Sequence, residues 1–172
     1  MVAILASVAA LVWAGEAVAC ACCGEPGTWY EDTSPLGSIE RDAFAHLHFT
    51  TARAVPGPEE VIRPLPITAT LTARTWRWQL GPRTTLTFLL PKVARTLVAD
   101  IHDGKKGGGG GPLLYRELRL EGSLTATGAL HGTHYRLVLQ GRGNNCLNAG
   151  DLRAWHLDVS GGARYSLYGT FH

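Results

Sequence analysis

The chain has 172 residues, 45% of them hydrophobic and 17% charged, with a formal net charge of +2. That is the composition of one ordinary globular domain, large enough to bury about 70% of its unfolded surface without depending on metals or dense disulfides. The basic residues are scattered singly (Arg41, Arg53, Arg63, Arg74, Arg77, Arg83) and only Lys105-Lys106 are adjacent. The basic stripe that a nucleic-acid backbone requires is therefore missing, and nucleic acid is excluded as a partner.

Residues 2–14 form an apolar run of signal-peptide length, too short to span a membrane as a stable helix, and Ala17-Val18-Ala19 follows as a small-x-small cleavage site. Residues 1–19 are read as a signal peptide removed on export, leaving Cys20 first in a periplasmic or extracellular protein. No Lys or Arg precedes the apolar run, an exception to the usual charged start. A cysteine just after the cut resembles the lipoprotein pattern, in which Cys20 would carry a lipid anchor, although Ala17 stands where that pattern prefers Leu. No later segment has the length and apolarity of a membrane-spanning helix.

Residues 20–43 are read as an irregular, Cys-containing segment. Within it Gly27-Thr28-Trp29-Tyr30 resembles the opening of the first lipocalin strand, which would imply a barrel of about eight strands. The later Thr-Asp-Tyr motif of lipocalins is absent, so the chain is not assigned to that family.

From residue 44 to 172 hydrophobicity alternates with period two, predicting an antiparallel all-β domain of about eight strands, either an up-and-down β-barrel or a β-sandwich. The segment 44–53 offers Ala45, Leu47 and Phe49 on one face. In 67–80, Ile67, Ala69, Leu71 and Ala73 share one parity while Trp76, Trp78 and Leu80 take the other, which predicts a β-bulge near Arg74-Thr75. Strands follow at 84–90 (Leu86, Phe88, Leu90 inward), 93–101 (Val93, Leu97, Ala99, Ile101), 113–126 (Leu114, Leu118, Leu120, Leu124), 133–141 (Tyr135, Leu137, Leu139), 152–159 (Trp155, Leu157, Val159) and 164–171 (Tyr165, Leu167, Phe171). Residues 55–66, with four prolines, read as an extended linker. The glycine run after Lys105-Lys106 reads as a hairpin tip, since the Gly-Lys-Ser/Thr of a phosphate loop is absent.

Cys20, Cys22 and Cys23 crowd the mature N-terminus, and Cys146 stands alone in a turn-rich loop. In an oxidising compartment this predicts a disulfide from Cys146 to one of Cys20, Cys22 and Cys23. The competing reading is soft-metal capture, of Cu or Zn, by Cys22 and Cys23 with His46 and His48, two imidazoles that would share one strand face. A hydrolase site finds no support, because neither a Gly-x-Ser-x-Gly elbow nor a flanked catalytic cysteine is present. The residues favour an exported non-enzymatic domain in which the barrel interior, or an outer face presenting Trp76, Trp78 and Tyr115, contacts a small molecule or a protein. The alternative is an envelope metal-binding protein, and the third reading is a secreted enzyme with an unrecognised site.

Overall fold

A computed structural model describes residues 29–55, 64–100, 114–128, 130–142, 149–162 and 164–172. The expected signal peptide, all four cysteines and the glycine run lie outside these residues. Ten strands are present among them: β1 (Trp29–Pro35), β2 (Thr51–Val55), β3 (Leu65–Leu71), β4 (Thr75–Leu80), β5 (Thr84–Leu89), β6 (Val93–Asp100), β7 (Leu114–Thr127), β8 (His134–Arg142), β9 (Leu152–Ser160) and β10 (Tyr165–Thr170), with one helix, α1 (Ser38–Ala45).

Eight of the strands close an antiparallel barrel. Its circuit runs β2-β3-β4-β5-β7-β8-β9-β10 and back to β2, an up-and-down order interrupted only by β6. The 14-residue β7 makes this possible by serving two partners along one edge: Leu114–Arg119 pair with β6 and Leu124–Thr127 with β5, while its other edge carries β8. β1 pairs with β6, so these two strands extend the sheet beyond the barrel wall.

Alternation places Leu86 and Phe88, Leu118 and Leu120, Leu137 and Leu139, Leu157 and Val159 inside, all at most 2% exposed. The centre is aromatic. Trp78 lies edge-to-face with Phe49, Trp76, Phe88 and Trp155 at centroid separations of 4.7, 5.3, 4.8 and 5.0 Å. Helix α1 buries Ala43 and Phe44, and the Phe44 ring stacks on Trp76 at 5.1 Å with 7° between planes. Glu40 accepts a hydrogen bond from the Gly37 amide at 2.9 Å, which fixes the start of that helix. The interior is therefore filled by side chains, as an eight-stranded barrel permits.

Four expectations need correction. The stretch 20–43 was expected to be irregular, yet Trp29–Pro35 is a strand and Ser38–Ala45 a helix. An edge strand with Trp29 69% exposed carries no hydrophobic alternation to detect. The expected strand 44–53 is instead the end of α1, a turn and β2, and only Phe49, through a bridge to Phe171, prolongs the sheet before Thr51. The parity change in 67–80 comes from a hairpin, not a bulge: Leu71 pairs with Trp76, and the Thr72 amide donates to the Thr75 carbonyl at 2.8 Å. Finally, β6 buries Ala94 and Val98, the opposite parity to Val93, Leu97 and Ala99, and Val93 is 48% exposed. Register explains this, because Leu97 sits opposite the outward Glu117.

Candidate functional site

Because the interior is packed, a binding site has to be sought on the outer wall. There the strand register sets side chains in rows. Arg53 of β2, Tyr168 of β10, His156 of β9 and Val138 of β8 lie side by side, and the next row carries Thr170, Ala154 and Gln140. With neighbouring strands about 4.8 Å apart, the first row spans roughly 14 Å of wall.

Two irregularities open a groove along these rows. Between β10 and β2 the ladder pairs Tyr168 with Arg53, and the next bridge joins Phe171 to Phe49. Three residues, 50–52, thus face two, 169–170, and the Thr50 amide reaches the Thr170 carbonyl at 3.2 Å. Between β8 and β9 the register shifts at Gln140/Gly141. Such bulges re-aim side chains and interrupt pairing. The result is a groove of about 520 Å³ walled by Thr51, Arg53, Gln140, His156, Tyr168 and Thr170, with Gly169 and Trp155 in its lining. That volume falls in the range of small-molecule sites.

Gly169 shapes the floor. A Cβ placed there would lie 2.8 Å from Cε2 and Cζ2 of Trp155 and closer still to the Thr51 carbonyl oxygen. The absent side chain lets the Trp155 indole, in the barrel interior, lie directly against the inner side of the β10 backbone whose outer side bounds the groove. Trp155 is 1% exposed, and its Nε1 has no hydrogen-bond partner among the described residues. An unpaired buried donor of this kind costs about 1 to 3 kcal/mol unless something pairs with it.

The chemistry of the wall is donor-rich. Arg53 is exposed and makes no ion pair among the described residues. His156 Nε2 lies 3.1 Å from Asp158 Oδ1, and Asp158 also accepts from the Ser166 hydroxyl at 2.6 Å. Among the described residues no Asp or Glu lines the groove. At its far end Gln140 donates to Glu117 at 3.2 Å, joining the groove to a polar network. In that network the Tyr115 hydroxyl donates to Glu117 at 2.6 Å and Arg119 Nε at 2.8 Å, while Arg95 pairs with Glu31 at 2.7 Å. Burial alone would raise the Glu117 carboxyl, but hydrogen bonds from Tyr115, Arg119 and Gln140 outweigh it and hold the group below its ordinary range. Burial, with the Glu117 bond and charge, drives the Tyr115 hydroxyl well above its usual value. A carboxylate committed to three donors is a structural anion rather than a proton shuttle.

The residues expected at a site fall elsewhere in part. Trp76 and Trp78, expected to share an outer face with Tyr115, are 1% and 0% exposed inside the barrel; counting parity through the β3–β4 hairpin hid this. Tyr115 does face outward, but its hydroxyl is committed to Glu117. His46 caps α1, with Nδ1 2.8 Å from the Asp42 carbonyl oxygen, and His48 is exposed in the following turn, so the shared strand face that linked them is absent. Cys20, Cys22, Cys23 and Cys146 lie outside the described residues, and among the described residues no three His, Cys, Asp or Glu side chains gather as metal ligands. Arg53, His156, Tyr168 and Gly169 went unnoticed in the sequence, since only the register joins them.

No family model, no curated protein and no solved structure matches the chain.

Proposed function

We propose that this chain is an exported, non-enzymatic binding domain that holds its ligand on the outside of the barrel, in the groove across β2, β10, β9 and β8. One observation carries the reading: the aromatic cluster around Trp78 occupies the barrel centre, while an open groove of about 520 Å³ lies on the wall. Export rests on the apolar run at 2–14 and Ala17-Val18-Ala19. The non-enzymatic half is supported by Glu117, the carboxylate bonded to the groove's Gln140, which Tyr115, Arg119 and Gln140 hold as a structural anion.

The test is a screen of small aromatic and aliphatic compounds against the 15N-labelled protein. Saturable amide shifts clustered on His156, Tyr168 and Gly169 are expected. Shifts confined to interior positions such as Leu137 and Leu157, or no shifts from any compound, would refute the reading.

A further inference from the structure

Two strands turn unpaired backbone outward, and the two edges differ in chemistry. One is β1, which ends the sheet. The Leu36 amide bonds to the Lys92 carbonyl at 2.9 Å, so by the alternation of an antiparallel ladder residues 30, 32 and 34 bond to β6, while Glu31, Thr33 and Pro35 turn their backbone groups away. That edge is guarded. Glu31 and Asp32 are charged, the Thr33 amide donates to Asp32 Oδ1 at 2.7 Å, and Pro35 has no N–H to offer. The other edge is the C-terminal half of β3. This strand joins β2 through two pairs, Thr51 with Pro66 and Ala52 with Leu65, and then runs on to Leu71 with β4 on its opposite side. The Gly81 amide bonds to the Pro66 carbonyl at 3.0 Å and the Thr72 amide to the Thr75 carbonyl at 2.8 Å, so even-numbered residues bond to β4, and Ala69 and Leu71 point their amides and carbonyls the other way. Among the described residues no hydrogen bond meets Ala69 or Leu71 on that side, and the next carbonyl along, that of Ala73, is taken by Arg41 of α1. Nothing guards this stretch. Thr68-Ala69-Thr70-Leu71-Thr72 has no charge and no proline, alternates exposed threonine with half-buried Ala69 and Leu71, and repeats its threonines symmetrically about Thr70.

We propose that two copies of this chain associate through the open edge of β3, their 68–72 segments running antiparallel about a twofold axis at Thr70. In that register Ala69 stands opposite Leu71 of the second copy. Each such pair exchanges both of its N–H···O bonds, which satisfies the backbone groups left open in one copy. On the exposed side Thr70 faces its own counterpart and Thr68 faces the second copy's Thr72, a cross-strand pairing that antiparallel sheets favour. Neighbouring registers fit worse. An axis at Leu71 would set Ala69 opposite Ala73, whose carbonyl Arg41 already holds. An axis at Ala69 would bring the second copy's Leu71 to Ile67, beside the Thr51–Pro66 pair that already occupies the edge. A contact of residues 68–72 from each copy falls among transient interfaces, below about 1,200 Å². The pair therefore forms as concentration rises and separates on dilution.

Sedimentation equilibrium of the purified full chain, between roughly 10 μM and 1 mM, should show monomer and dimer in exchange. Reversal on dilution separates this pair from copies linked through their cysteines. In a mixture of isotope-labelled and unlabelled protein, a filtered NOE should join the Thr70 Hα atoms of the two copies, which a close antiparallel pair holds face to face. Thr70→Lys and Thr70→Glu, at an exposed position, should each keep the far-UV circular dichroism of the parent and weaken association by about tenfold or more, because like charges then meet at the axis. Mixing the two variants should restore it, since opposite charges then meet there. Thr33→Lys, on the guarded β1 edge, should leave the affinity within about threefold. The wild-type NOE stands independent of any variant. A chain that stays monomeric throughout, a dimer without that NOE, or a dimer that Thr70→Lys leaves unchanged overturns the proposal. So does a dimer dissolved by Thr33→Lys, or failure of the Lys and Glu variants to associate when mixed.

Discussion

Trp78 offers the sharpest test of the packed interior, because it can be changed in two ways that the structure separates. It is fully buried, meets four other rings edge-to-face, and carries an Nε1 with no partner among the described residues. Trp78→Ala removes the whole ring and should cost about 4 kcal/mol, since neighbours packed around an indole collapse only in part. Against a typical stability of about 5 to 15 kcal/mol, that lowers the melting temperature by roughly 12 °C or more. Trp78→Phe keeps one ring and its edge-to-face contacts. The void it leaves costs roughly 1 to 2 kcal/mol. Loss of a buried, unpaired N–H offsets this by about 1 to 3 kcal/mol, so the net change should stay within about 1 kcal/mol. Urea titration followed by far-UV circular dichroism avoids the confounding loss of tryptophan fluorescence. A Trp78→Ala cost below about 1.5 kcal/mol would mean a loosely filled barrel, and a Trp78→Phe cost equal to that of Ala would mean the indole N–H is bonded.

Four further outcomes are expected. Gly169→Ala drives a methyl against the Thr51 carbonyl and the Trp155 edge and should cost about 1 to 3 kcal/mol as overpacking, with a change in tryptophan emission; an unaltered stability and spectrum would remove the glycine from the account of the groove. Glu117 sits below its ordinary value of 4.5, so its contribution is present above that pH and is lost as the pH falls through its folded value. Glu117→Gln should cost about 1 to 2 kcal/mol at pH 7 and flatten the acid limb of the stability profile, as urea midpoints from pH 7 to 3 would record. Tyr165 has a buried hydroxyl without a partner among the described residues, and burial pushes it up to about 12 from 10.0. A raised group stabilises fully below its unfolded value, so roughly 2 to 3 kcal/mol should drain away between about pH 10 and 12; Tyr165→Phe should lessen that loss, and a profile identical to wild type would contradict it. Intact mass of protein recovered from its native compartment should match residues 20–172, with a diacylglycerol-sized addition if Cys20 is acylated, whereas retention of residues 1–19 would sink the export reading.

The strands that were legible in the sequence are those with one buried and one wet face. Leu118, Leu120 and Leu124 against Glu117, Arg119 and Glu121 announce β7, and Tyr135, Leu137 and Leu139 announce β8. Where an element lacks that contrast it was missed or misread. None of the described β1 side chains is buried, α1 spans only eight residues with two buried, and β6 offers apolar residues on both parities, so only its pairing with β7 decides which side is inside. The three residues between β3 and β4 reset the parity count, and that is why Trp76 and Trp78 could be placed on an outer face when they form the centre.

The groove was harder to read for a different reason. Its walls come from residues 50, 51, 53, 140, 154–156 and 168–170, and the Thr50–Thr170 hydrogen bond spans 120 positions. Hydrophobic period tells which face a residue takes but not which residue on another strand stands beside it, so Arg53, Tyr168 and His156 were three ordinary outward side chains until barrel closure aligned them. One local sign was present. A glycine inside an otherwise regular strand, as in Tyr165-Ser166-Leu167-Tyr168-Gly169-Thr170, weakens the strand and so marks a bulge or a close approach of another group. At Gly169 both occur together: the ladder to β2 breaks, and the Trp155 indole comes up against the backbone. The same glycine that costs the strand a side chain lets the Trp155 ring pack against the backbone from inside, while the broken ladder on its flank opens the groove outside.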